Sequence, residues 1–79
     1  MALDVYLYAS LARYLPRQTG DKSVQIPAIP GGTARDILRQ LEVPEKEVKL
    51  IFINGIRRDL AAQIKDGDRI GFFPPVGGG

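Results

Sequence analysis

The sequence predicts an α+β domain in which a mixed sheet of about five strands carries one main helix on one face. Three stretches lead to that reading. "LDVYLYA" (3–9) alternates strictly, with Leu3, Val5 and Leu7 on one face and Asp4, Tyr6 and Tyr8 on the other, the mark of a strand with one buried side. "TARDILRQL" (33–41) spaces Ala34, Ile37, Leu38 and Leu41 as one helix stripe. "VKLIFINGIRR" (48–58) runs a β-prone segment into Asn54-Gly55, the pair that tolerates the positive φ angles of a type I′ hairpin.

The remaining elements fall between these. "SLARYLP" (10–16) predicts a short helical turn before Pro16, and "RQTGDK" (17–22) has turn chemistry. "SVQIPAI" (23–29) predicts a second strand with Val24 and Ile26 two apart, and Pro27 restricts it to a sheet edge. "PGGT" (30–33) breaks the chain, Thr33 can cap the helix, Asp36 suits its first turn, and Pro44 limits its extent. In "DLAAQI" (59–64), Leu60 and Ile64 are expected to plug the core. "KDGDRIGFF" (65–73) gives an Asp66-Gly67 turn and a last strand with Ile70 and Phe72 on one face and Arg69, Gly71 and Phe73 on the other. The first two strands are expected to pair antiparallel, the helix to cross over right-handed, and the last strand to lie beside the first in mid-sheet. Strand, strand, helix, strand, strand, strand in that arrangement is a β-grasp, or ubiquitin-like, architecture. Its second sheet face has no helix to cover it, and Tyr6, Tyr8 and Phe73 are expected there. Leu7, Ile53, Ile70 and Phe72 are expected in the core.

Composition removes several kinds of chemistry. With 79 residues there is room for one domain, expected over 1–75 with a C-terminal tail over 76–79. The absence of cysteine excludes disulfides, thiolate metal sites and a cysteine nucleophile. The absence of histidine removes the commonest general base and metal ligand, and no bound metal is expected. No apolar run is as long as a membrane span, and "MALDVYLYAS" has no basic stretch ahead of its apolar residues, so neither an anchor nor a signal peptide is expected. A cytoplasmic protein is the resulting expectation. Net charge +2 is mild and the arginines are spread along the chain, so nucleic-acid binding is not expected.

The stretch that points to chemistry is "GFFPPVGGG" (71–79). Pro74-Pro75 cannot extend a sheet ladder and favours extended backbone, so the prolines end the strand and project the last four residues away from the body. Gly77, Gly78 and Gly79 have no side chains and fit passages too narrow for other residues. Read as the chain end, this is a tail that delivers a carboxylate into another protein's active site. A carboxylate is a poor electrophile and must first be activated, most simply as an acyl adenylate. "PGGT" is too short for a phosphate-binding loop, so a separate ATP-using enzyme is expected to activate it. No cofactor is expected on the chain itself.

"IFING" (51–55), "IKDGDRI" (64–70), "LYASLARYLP" (7–16) and above all "FFPPVGGG" (72–79) resemble the MoaD/ThiS sulfur-carrier family, with the molybdopterin synthase small subunit nearest in pattern. The resemblance covers essentially the whole chain. It implies a C-terminal glycine, here Gly79, that an E1-like enzyme adenylates and that becomes a thiocarboxylate, with Gly78 as its diglycine partner. It implies a tail, Pro74, Pro75, Val76 and Gly77, that inserts into the large catalytic subunit of molybdopterin synthase and gives sulfur to a pterin precursor. Tyr8 and Phe73 match positions where the family docks that subunit. The protein would then be the non-catalytic sulfur donor of such a complex. Gly77 departs mildly from the serine or alanine expected there. A modifier joined to lysines, a thiamin-type carrier, which is expected to be shorter and to lack the proline pair, and a plain interaction module remain alternatives. Asp66 and Asp68, beside Gly67, are read as turn residues and not as a catalytic carboxylate pair.

Overall fold

The computed structural model describes residues 2–15, 23–27 and 31–75. In chain order it contains strand β1 (Ala2–Leu7), a 3-10 turn (Ala9–Tyr14), β2 (Ser23–Pro27), helix α1 (Ala34–Leu41), a second 3-10 turn (Glu45–Glu47), β3 (Leu50–Ile53), β4 (Ile56–Arg58) and β5 (Arg69–Phe73). The five strands form one sheet in the order β2-β1-β5-β3-β4. β2 pairs antiparallel with β1, β1 parallel with β5, and β3 antiparallel with both β5 and β4. The expected mid-sheet place of the last strand and the edge place of the Pro27 strand are both observed.

Each element has its origin in local chemistry. Asn54 at φ 53° and Gly55 at φ 82° turn β3 into β4 with Ile53 opposite Ile56. Asp36 anchors the start of α1: its carboxylate accepts the Thr33 backbone N–H at 2.9 Å and the Thr33 hydroxyl at 3.2 Å. The next two N–H groups, of Ala34 and Arg35, donate to the carbonyls of Ala62 and Leu60, both at 3.0 Å. Two of the first-turn donors of the helix are thus satisfied by the 59–64 segment. Glu42 ends the helix in the left-handed region at φ 60°, ahead of Pro44.

The core lies between α1 and one face of the sheet. Leu3, Val5, Leu7, Ile26, Ile51, Ile53, Ile70 and Phe72 come from the strands, and Ala34, Ile37 and Leu38 from the helix. Leu11 and Leu15 of the first connection, together with Val43, Ala62 and Ile64, close its ends. Ile64 is buried as expected, whereas Leu60 is only half-buried and packs against the outside of the core. Ala62, two residues on, takes the inner position.

Candidate functional site

The sheet face away from α1 carries an aromatic platform. Strand alternation turns Tyr6 and Tyr8, Phe52 of β3 and Phe73 of β5 to this side. Tyr8 and Phe73 stack with ring centroids 4.3 Å apart and planes 9° apart. Phe52 meets Phe73 edge-on at 5.6 Å, and Tyr6 lies parallel to Tyr8 at 6.1 Å.

Gly71 is the reason the rings can close together. It pairs with Tyr6 on one side and Phe52 on the other, at the centre of the sheet. A Cβ there would lie 3.1 Å from Tyr8 Cε2 and 3.6 Å from Phe73 Cε1. The bare glycine leaves the rings leaning over a shallow hollow of about 310 Å³, bordered by Tyr6, Tyr8, Phe52 and Phe73, with Arg69 and Gly55 at its rim.

Topology places this platform where the chain leaves the sheet. Because β1 and β5 run parallel, Tyr8 and Phe73 stand at the same end. The Tyr8 N–H donates to the Phe72 carbonyl at 3.2 Å and the Lys49 N–H to the Phe73 carbonyl at 2.7 Å, after which β5 stops. Half-buried Pro74 and Pro75 come next, outside the ladder, as their missing N–H groups require. Of the residues read as functional from the sequence, Tyr8, Phe73, Pro74 and Pro75 are thus gathered at one end of one face. Val76, Gly77, Gly78 and Gly79 lie outside the described residues.

Phe52, Gly71 and the rim residue Arg69 were not singled out as functional from the sequence. Phe52 was legible in principle, since it alternates with Ile51 and Ile53, which point to the core. The Asp66-Gly67-Asp68 segment is turn structure, as expected, but Asp68 also reaches beyond its own turn. Its carboxylate accepts the Lys65 N–H at 2.8 Å and the Asn54 side-chain amide at 2.9 Å. Among the described residues no group of three or more acidic side chains could hold a metal ion, and no helix is long and apolar enough to cross a membrane.

The family model described as Mut7-C ubiquitin matches residues 1–77. A search of curated proteins returns no match. Among solved structures, SAMP1 from Haloferax volcanii superposes with a TM-score of 0.71 at 22% identity, over 100% of both chains. A protein described as molybdopterin converting factor, subunit 1, from Pyrococcus furiosus gives 0.68 at 24% identity, over 96% of this chain and 99% of that one. A chain from the complex of subunits 1 and 2 of the molybdopterin-converting factor of Helicobacter pylori gives 0.59 at 28% identity, over 100% of both. The β-grasp, ubiquitin-like fold read from the sequence is the fold of these neighbours.

Proposed function

The chain belongs to the Mut7-C ubiquitin family, and on that premise we propose that it is a ubiquitin-like sulfur carrier whose C-terminal glycine, Gly79, becomes a thiocarboxylate. An E1-like enzyme would join the Gly79 carboxylate to AMP from ATP, releasing pyrophosphate. A sulfide-equivalent nucleophile would then displace AMP. The thiocarboxylate sulfur is nucleophilic at neutral pH, and its transfer followed by hydrolysis returns the plain carboxylate. The acceptor we propose is a pterin precursor held by a large catalytic subunit, as in molybdopterin synthesis. The neighbour from Helicobacter pylori comes from a complex of subunits 1 and 2 of molybdopterin-converting factor, which supports a partner of this kind.

The observation that carries the reading is the parallel pairing of β1 with β5. It sets the stacked Tyr8–Phe73 pair at the end of the sheet from which Pro74 and Pro75 lead out. A partner seated on the uncovered aromatic face is therefore beside the root of the tail, so docking and delivery of the reacting group are one event. Among the described residues no layer covers these sheet aromatics, and an apolar sheet face of this kind favours an interaction surface.

The intact mass of the protein purified from its own host tests this. The reading requires Gly79 to carry a free or sulfur-bearing carboxyl, and replacement of one oxygen by sulfur is the expected species. The Haloferax volcanii neighbour is called small archaeal modifier protein 1, which supports the second reading, attachment of Gly79 to lysines of other proteins. A mass ladder of branched conjugates in place of the thiocarboxylate would establish that alternative.

A further inference from the structure

We infer that a second interaction surface, on the helix side of the β4 edge, receives an extended acidic segment of a partner protein. Behind β4 runs a groove of about 580 Å³. Its apolar lining is Val48, Ile51 and Leu60, its rim carries Lys49 and Arg58, and Arg57 borders it at the strand edge. Arg58 stands opposite Ile51 and so is on the core side of the sheet, and Lys49 precedes Ile51 by two and shares that side, whereas Arg57 stands opposite Phe52 and belongs to the aromatic side. Among the described residues, ion pairs form only at Arg13 and Arg35, so none of these three cations has an acidic partner within 4.0 Å. The one carboxylate of the groove, Asp59, is occupied by the Ala61 N–H at 3.0 Å.

The backbone supports an extended occupant. Among the described residues β4 is the edge strand of the sheet and pairs only with β3. In a two-residue hairpin Ile53 and Ile56 exchange their hydrogen bonds, and so do Ile51 and Arg58, which leaves the N–H and carbonyl of Arg57 facing outward. A short charged edge can serve simply to discourage strand pairing. Here the cations border an apolar groove, and Ile56, 62% exposed, stands beside them at the same edge, a combination that favours a strand alternating acidic and apolar residues. A second copy of this chain fits poorly, since edge-to-edge pairing would bring the arginines of β4 against each other. Nucleic acid fits less well than peptide, because the stacking aromatics lie on the opposite face. The groove is on the other side of the sheet from the Tyr8–Phe73 platform, so the two surfaces can be occupied together.

The test uses the full chain and a fluorescein-labelled peptide of alternating Glu and Val. Fluorescence anisotropy should show saturable binding that falls at least tenfold in the K49E/R58E variant and also with rising salt. Amide resonances of Ile56, Arg57 and Arg58 should shift on titration. F73A, which alters the other face, should bind the peptide as wild type does, so this result is separable from any failure of the sulfur-carrier reading. Circular dichroism checks that K49E/R58E is folded, and K49A/R58A, less disruptive, should show an intermediate loss. Absence of saturable binding, equal binding by both charge variants, shifts centred on Tyr8 and Phe73, or displacement of the peptide by a single-stranded oligonucleotide at lower concentration than by unlabelled peptide would each overturn the inference.

Discussion

Asn54 and Asp68, 14 positions apart, lock two turns together: the Asn54 side-chain amide donates to Asp68 Oδ1 at 2.9 Å. The other end of the same amide, Oδ1, accepts the Arg69 N–H at 3.1 Å, and the Asn54 N–H donates to the Arg69 carbonyl at 2.8 Å. Asp68 Oδ2 meanwhile holds the Lys65 N–H. The β3–β4 hairpin and the turn into β5 are therefore one unit, and β5 starts in a fixed register between β1 and β3. That register decides which of Phe72 and Phe73 enters the core.

Asp68→Ala should cost about 1–2 kcal/mol, the range for losing hydrogen bonds to a charged group at a partly exposed site. Asn54→Gly keeps the positive φ that the hairpin needs but removes the latch, so it should lose a similar amount without disturbing the turn. Urea denaturation measures both. In the double variant the losses should fall short of additive, because both remove the same contact. Full additivity would mean the two turns are independent.

Phe72 and Phe73 are neighbours with opposite duties. Phe72 is fully buried, and Phe72→Ala should destabilise by about 3–5 kcal/mol through the cavity it leaves. Phe73→Ala should cost clearly less stability while weakening association with a large catalytic partner by roughly 1–3 kcal/mol. Thermal melts and calorimetric titration separate the two. Equal losses of stability would show that the platform is structural.

Gly71→Ala isolates the hollow. The glycine does not have a positive φ, so alanine is allowed by the backbone. Its Cβ nevertheless arrives 3.1 Å from the Tyr8 ring and must push it aside. Stability should change by less than about 1 kcal/mol, since Tyr8 is half-buried and can give. The stacked Tyr8–Phe73 pair should be disturbed, visible in near-ultraviolet circular dichroism, and partner association should weaken. An unchanged near-ultraviolet spectrum with wild-type binding would remove Gly71 from the site.

Most of this architecture was legible because alternation and turn chemistry agree. Leu3, Val5 and Leu7 against Tyr6 and Tyr8, Asn54-Gly55 at the hairpin and Pro27 at an edge each admit one reading, and those readings are mutually consistent. Side-chain reach across sequence distance was not legible. Nothing in "DGD" shows that Asp68 joins a turn 14 positions away, and nothing in "RIGFF" shows that Gly71 sits beneath two aromatic rings. Leu60 was expected inside and is half-buried, because Ala62 and Ile64 already fill the space beside the start of α1.

The decisive test of the proposed chemistry is to lengthen the chain by one residue. If the carboxyl of Gly79 is the reacting group, one alanine added after it moves that group by about 3.5 Å, the reach of an extended residue. A misplacement of about 1 Å can cost roughly a hundredfold in a positioned reaction. The extended protein should keep the melting temperature of the original and its association through the Tyr8–Phe73 platform, yet fail to form the adenylate or to transfer sulfur. Gly78→Val should fail as well, by steric exclusion from a narrow passage. The assay is ATP-dependent conversion to the thiocarboxylate by the host's activating enzyme, followed by mass spectrometry. Conversion of the alanine-extended chain at the wild-type rate would contradict a reacting Gly79 carboxyl and favour a module that works through its sheet face alone.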